Sequence, residues 1–184
     1  TKPFDIQELR LRVRNALRRA TQTSLVNPVT NLPEGPVVDE RLSALLLSDS
    51  KWAMLMITIT GLDTFRELYG FVASDDVLRA VSLMMNNAVR DVGGENDFIG
   101  HLAPHDFMVV TGEEHLAPLR ERIETRLEQS MEYFYPLKDR ERAKQAMEEN
   151  RLNLVIGHVN SSQGPFADTE ALKAAMLSSW EPKA

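Results

Sequence analysis

The chain has 184 residues, 43% of them hydrophobic and 26% charged, with a formal net charge of −6. That length allows one domain with a real core plus an appendage. The absence of cysteine excludes a disulfide framework and a thiolate metal site, and the acidic balance argues against general nucleic-acid binding. No stretch reads as a signal peptide or as an apolar run long enough to span a bilayer, so the expectation is a cytoplasmic protein with no membrane partner.

Charge is unevenly placed. Residues 1–20 carry Lys2, Arg10, Arg12, Arg14, Arg18 and Arg19 against Asp5 and Glu8, a net +4 that leaves −10 for the remainder. Asp5 with Glu8 makes a capping-box pattern at a helix start. Ile6, Leu9, Val13, Ala16 and Ala20 then follow at spacings of three and four, a stripe of about two heptads. The basic face reads as solvated or as a phosphate-binding arm. The stripe either packs on a neighbouring domain or pairs with a second copy.

Asn27-Pro28, Leu32-Pro33 and Gly35-Pro36 disfavour helix, so 24–36 reads as a linker. A helix follows, with Val38, Leu42, Leu45 and Leu46 on one face. Trp52 to Thr60 is a strand: Leu55, Ile57 and Ile59 face one way, and Met54, Met56, Thr58 and Thr60 the other. A short helix from Asp63 to Tyr69 ends at Gly70. A longer one begins near Ser74-Asp75-Asp76, runs to Val92 with Val77, Leu78, Val81, Met84, Met85 and Ala88 inward, and stops at Gly93-Gly94. Phe98–Leu102 and Phe107–Thr111 are two strands of a hairpin around Ala103-Pro104-His105-Asp106-Phe107. Glu113 to Phe134 is helical, with Leu116, Leu119, Ile123, Leu127 and Met131 as its buried stripe. Residues 136–150 read as a charged, exposed extension, 152–159 as a strand interrupted at Gly157, and 168–179 as a last helix. Strands alternating with helices around a central hairpin make an α+β sheet with helices on its faces. The eight methionines read as core filler. Tyr133-Phe134-Tyr135 caps the core or joins a contact surface. The four histidines read as polar surface residues, because a spacing of four brings His101 and His105 together on a helix and not across a turn.

The order of elements from 27 to 159, the hairpin turn and the Tyr69-Gly70 break resemble the GGDEF family, the diguanylate cyclases that join two GTP molecules into cyclic di-GMP. Asn27-Pro28-Val29-Thr30-Asn31-Leu32-Pro33 is similar to the stretch that opens that domain. The resemblance implies a nucleotide-cyclase palm-like sheet. Lys2-Pro3-Phe4 and the arginine-rich helix resemble the end of a response-regulator receiver domain. The expected organisation is therefore a receiver's last helix and signalling helix over 1–23, a linker over 24–36 and a GGDEF-like domain over 37–184, with the rest of a receiver upstream.

Family chemistry is phosphoryl transfer and needs magnesium on carboxylates. At the positions of the strand's Asp-x-Asp stand Thr58-Ile59-Thr60. At the Gly-Gly-Asp-Glu-Phe turn stand Ala103, Pro104, His105, Asp106 and Phe107. Imidazole is a poor magnesium ligand, and Pro104 removes backbone freedom that glycine allows. The guanine-contacting asparagine becomes Arg66. The matching aspartate remains as Asp75, which reads equally as a helix-capping acid. The product-binding Arg-x-x-Asp becomes Gly94-Glu95-Asn96-Asp97, and Lys173 sits too early for a phosphate-holding lysine. The resemblance thus implies no catalytic residue, no metal and no cofactor, with Thr58, Arg66, Asp75 and Asp106 as a vestigial nucleotide site. Three expectations stand: a catalytically inactive output module of a two-component response regulator, working through a protein partner or homodimerisation by its N-terminal helix; a GTP or nucleotide sensor without turnover; or an active cyclase with relocated ligands such as Asp63 and Asp106.

Overall fold

The computed structural model describes residues 25–140, 151–179 and 181–182. The expected N-terminal helix, the receiver-like segment and most of the charged extension lie outside the described residues. Helices α1 (Pro36–Leu46), α2 (Leu62–Val92), α3 (Leu116–Ser130) and α4 (Thr169–Ser178) pack on strands β1 (Trp52–Thr60), β2 (Phe98–Ala103), β3 (Asp106–Gly112) and β4 (Asn153–Asn160). A two-residue strand, β5 (Glu181–Pro182), extends the sheet, whose order is β2-β3-β1-β4-β5 with every neighbour antiparallel.

Strand β1 is central and buried on both faces, which its alternation explains. Leu55, Ile57 and Ile59 join Phe65, Val81 and Met85 of α2 and Ile123 and Leu127 of α3 in one core. Trp52, Met54 and Met56 meet Leu42 of α1 and Leu172 and Met176 of α4 in the other. Each such side chain contributes about 1.5–3 kcal/mol on burial. Met54, Met56, Met85, Met108, Met131 and Met176 are all buried, where their flexible thioethers fill gaps between branched neighbours. Tyr135 is buried edge-on to Phe65 at 5.3 Å, and its hydroxyl accepts the Leu152 N–H at 2.9 Å, whereas Tyr133 is exposed.

Several expectations change. The segment read as a linker is folded from Leu25 onward: Val26 bridges Pro33, the Asn27 N–H reaches the Leu32 carbonyl at 2.8 Å, and Leu32 is buried. Pro36 starts α1 rather than preventing it, because the first helical position needs no N–H donor. The second part of α2 begins directly after Gly70 (φ 89°, ψ 174°), several residues before Ser74. A conformation closed to side-chain-bearing residues breaks the helix there for one residue only. Gly93 closes α2 in extended geometry rather than left-handed. Strand β4 runs through Gly157, which pairs with Met56.

Candidate functional site

The turn between β2 and β3 is two residues, Pro104-His105, shorter than the five-residue stretch suggested. No residue in it takes positive φ, so it is neither of the primed turns whose twist suits a two-residue hairpin. A register shift between His101 and Ala103 accompanies this mismatch.

Pairing of β1 with β3 places Thr58 opposite Asp106. The Thr58 hydroxyl donates a hydrogen bond to Asp106 Oδ1, and Thr58 is itself buried. Beside the turn lies a groove of about 370 Å³, lined by Ala103, Pro104 and His105 but not by Thr58 or Asp106. Asp75 of α2 and Glu34 of the lead-in segment bring carboxylates to it, Pro104 and His105 bring the turn, and Val29 and Leu78 form apolar wall. Asp75 is five residues into its helix after Gly70, beyond the first turn, so the capping role does not hold. Arg66 lies elsewhere: it pairs with Asp63 at 3.3 Å and sits 5.3 Å over the Phe71 ring at the helix break. Lys173 is committed to Asp39 at 2.8 Å, tying α4 to α1. Asp97 accepts the Gly94 N–H at 2.9 Å and closes the loop after α2.

His101 overturns the surface reading. It is 2% exposed. Its Nε2 lies 2.6 Å from the Thr30 hydroxyl, its Nδ1 lies 3.2 Å from the Ala103 carbonyl, and its ring is 4.5 Å from Phe107. Its backbone N–H donates to the Pro33 carbonyl at 2.9 Å. The lead-in can lie this close because the neighbouring residue is Gly100, where a Cβ would meet the Pro33 oxygen at 2.9 Å. Burial pushes the His101 pKa down, against smaller upward pulls from the Ala103 carbonyl, Glu34 and Asp106. The neutral ring is thus the folded-state form. Stability from this group is present above its ordinary pKa near 6.5 and is lost as pH falls below it. Thermal melts are expected to show falling midpoints below about pH 6.5, a component that His101→Gln removes. An unchanged acid limb in that variant would show that His101 does not titrate on unfolding.

Sequence reasoning missed Asn27, Glu34 and His101 as neighbours of the groove. Asn27 is 4% exposed; its Oδ1 accepts the Val29 and Thr30 N–H groups at 2.9 and 3.2 Å, and its Nδ2 donates to Glu34 at 3.1 Å. An asparagine followed by proline and threonine is the turn-forming signal that could have found it. Asn31, at φ 61°, holds the left-handed position where the similar family stretch has glycine.

A scan against protein-family models gives no match to this chain, and a search of curated proteins gives none. Solved structures do match. The diguanylate cyclase SiaD of Pseudomonas aeruginosa, in complex with its activator SiaC, superposes on 94% of this chain with a TM-score of 0.60 at 14% identity. The GGDEF domain of TpbB (YfiN) from the same organism superposes on 84% of this chain and 87% of its own, with a TM-score of 0.59 at 18% identity. The coiled coil and GGDEF domain of DgcB from Caulobacter crescentus, in complex with c-di-GMP, superposes on 95% of this chain and 90% of its own, with a TM-score of 0.60 at 16% identity. This chain has the GGDEF-domain fold. It spans 63% of the SiaD chain.

Magnesium on a nucleotide is usually held by one or two carboxylates supplemented by substrate phosphates. The end of β1 and the turn offer the hydroxyls of Thr58 and Thr60, the His105 imidazole and the Asp106 carboxylate, which Thr58 already binds. Thr60 leans toward the Asn153 carbonyl at 3.4 Å instead. These residues do not fit a magnesium–triphosphate site. Among the described residues no helix is long and apolar enough to cross a membrane.

Proposed function

We propose that this chain is a GGDEF-fold module of cyclic di-GMP signalling that makes no cyclic di-GMP and acts as the output part of a two-component response regulator. It signals through contact with a protein partner or a second copy, under control of an upstream receiver domain and the heptad-bearing segment before residue 25. The observation that carries the reading is the Thr58–Asp106 hydrogen bond: a neutral hydroxyl satisfies the turn's carboxylate where the phosphoryl-transfer chemistry needs a second anionic metal ligand. Receiver phosphorylation would act by changing how the N-terminal segment packs or pairs.

A second reading, a nucleotide sensor without turnover, has one observation in its favour: Asp75 is retained and lines the groove beside the turn. Calorimetric titration with GTP and magnesium, and in parallel with cyclic di-GMP, tests both. The expected result is no saturable heat from either ligand and no product from GTP. Saturable GTP heat that Asp75→Ala abolishes would put the sensor first, and magnesium-dependent product would overturn the inactive reading.

A further inference from the structure

Residues 25–34 form a loop that is wired to itself. The Asn27 N–H donates to the Leu32 carbonyl at 2.8 Å, the Asn31 N–H to the Asn27 carbonyl at 2.8 Å and the Glu34 N–H to the Leu25 carbonyl at 3.0 Å. The Asn27 Nδ2 adds a bond to Glu34 at 3.1 Å. This loop supplies one wall of the groove beside the turn, through Asn27 and Val29; Asp75, Leu78 and Pro104 belong to the other. Leu32 seats the loop in the core. Two hydrogen bonds that fasten it to the sheet both end on His101: the backbone N–H donates to the Pro33 carbonyl at 2.9 Å, and Nε2 meets the Thr30 hydroxyl at 2.6 Å. The loop joins α1 through Gly35, whose φ of 61° and ψ of −128° are strained for any residue with a side chain. A self-bonded loop, a glycine joint and one fastening residue are the parts of a lid.

The fastening depends on a proton. A carbonyl only accepts, so the 3.2 Å contact with the Ala103 carbonyl puts the ring proton on Nδ1 and leaves Nε2 to accept the Thr30 O–H. The Thr30 hydroxyl in turn accepts the Leu32 N–H at 3.3 Å. A second ring proton makes Nε2 a donor. The Thr30 O–H then has to turn away and loses its acceptor, and a buried ring packed on Phe107 carries the charge. The titratable groups facing the ring are Glu34 of the loop, His105 and Asp106 at the turn, and Asp75 across the groove. Glu34 and Asp106 favour the charge, His105 opposes it, and burial outweighs their sum. We propose that residues 25–34 are a lid over the groove, jointed at Gly35 and latched by neutral His101, and that protonation of His101 releases it. The groove then opens in acid by a local movement rather than by loss of the fold, whether or not the chain turns over GTP.

Amide hydrogen exchange of the isotope-labelled full chain, followed by NMR and corrected for intrinsic rates, separates local from global opening. The His101 amide is bonded to the lid, and the Leu55 amide lies in the central strand β1. Below about pH 6.5, where the released ring takes up its proton, His101 exchange is expected to rise by up to about tenfold per pH unit. Urea well below the unfolding transition should leave that rate nearly unchanged, because the lid exposes little surface, while Leu55 exchange accelerates steeply. His101→Gln, whose side-chain amide both donates and accepts, should abolish the pH dependence. Thr30→Val, which keeps the volume and removes the hydroxyl, should raise His101 exchange about fivefold at neutral pH. A single urea dependence shared by the His101 and Leu55 amides would show that the loop leaves only when the whole domain unfolds, and would overturn the lid. A pH dependence that persists in His101→Gln, or unchanged exchange in Thr30→Val, would overturn His101 as its latch.

Discussion

Thr58→Asp combined with His105→Asp is expected to yield no cyclic di-GMP from GTP and magnesium; product forms only when Ala103→Gly and Pro104→Gly are added. The double variant returns charge and leaves the backbone as it is. The turn of this chain has no positive φ and carries a register shift beside Ala103. Proline fixes its own φ and restricts Ala103 before it. A turn of this shape keeps ligands away from the position that a close-approaching glycine backbone would open. The first substitution also has a cost of its own. It replaces the hydroxyl that donates to Asp106 by a carboxylate facing that carboxylate, so it removes a charge-assisted bond and creates like-charge repulsion. A loss of about 1–3 kcal/mol is expected without metal, smaller at millimolar magnesium. Chromatography of reaction products and denaturant melts check the two parts. Product from the double variant alone would show that the backbone shape matters less than the missing carboxylates.

Phe107→Ala is expected to lower stability by about 3–5 kcal/mol in a denaturant melt, a large share of the roughly 5–15 kcal/mol typical of a domain. Phe107 has 0% exposure, lies opposite Ile57 of β1 and opposite His101 of β2, and belongs to the same core as Leu55 and Leu119. The phenylalanine of the turn motif is therefore a structural residue here, whatever the rest of the motif does. Phe107→Leu, which keeps most of the volume, should cost less than half as much. A loss below about 1 kcal/mol for the alanine variant would mean that the surrounding core collapses onto the vacated space.

Local patterning in the sequence determined a good deal about this protein. The bounds of β1, the stripes of α2 and α3, and the hairpin all follow from periods of two and 3.6, because each face of a regular element is set by residues close in the chain. The candidate positions at Thr58, Arg66 and the turn were picked by counting along the chain, which needs no tertiary structure. Tertiary structure alone decided the rest. That His101 is buried depends on the lead-in crossing β2 at Gly100, a contact between segments some seventy residues apart. Prolines made 24–36 look unstructured, yet Asn27 organises it through side-chain bonds that no periodicity signals. Thr58 meets Asp106 only through the register of β1 on β3, and Asp75 faces the turn only because α2 restarts at once after Gly70. Side-chain chemistry can be read residue by residue, but the partner that each polar group finds is set by long-range register and by backbone approach, and it is those partners that give the groove its charge.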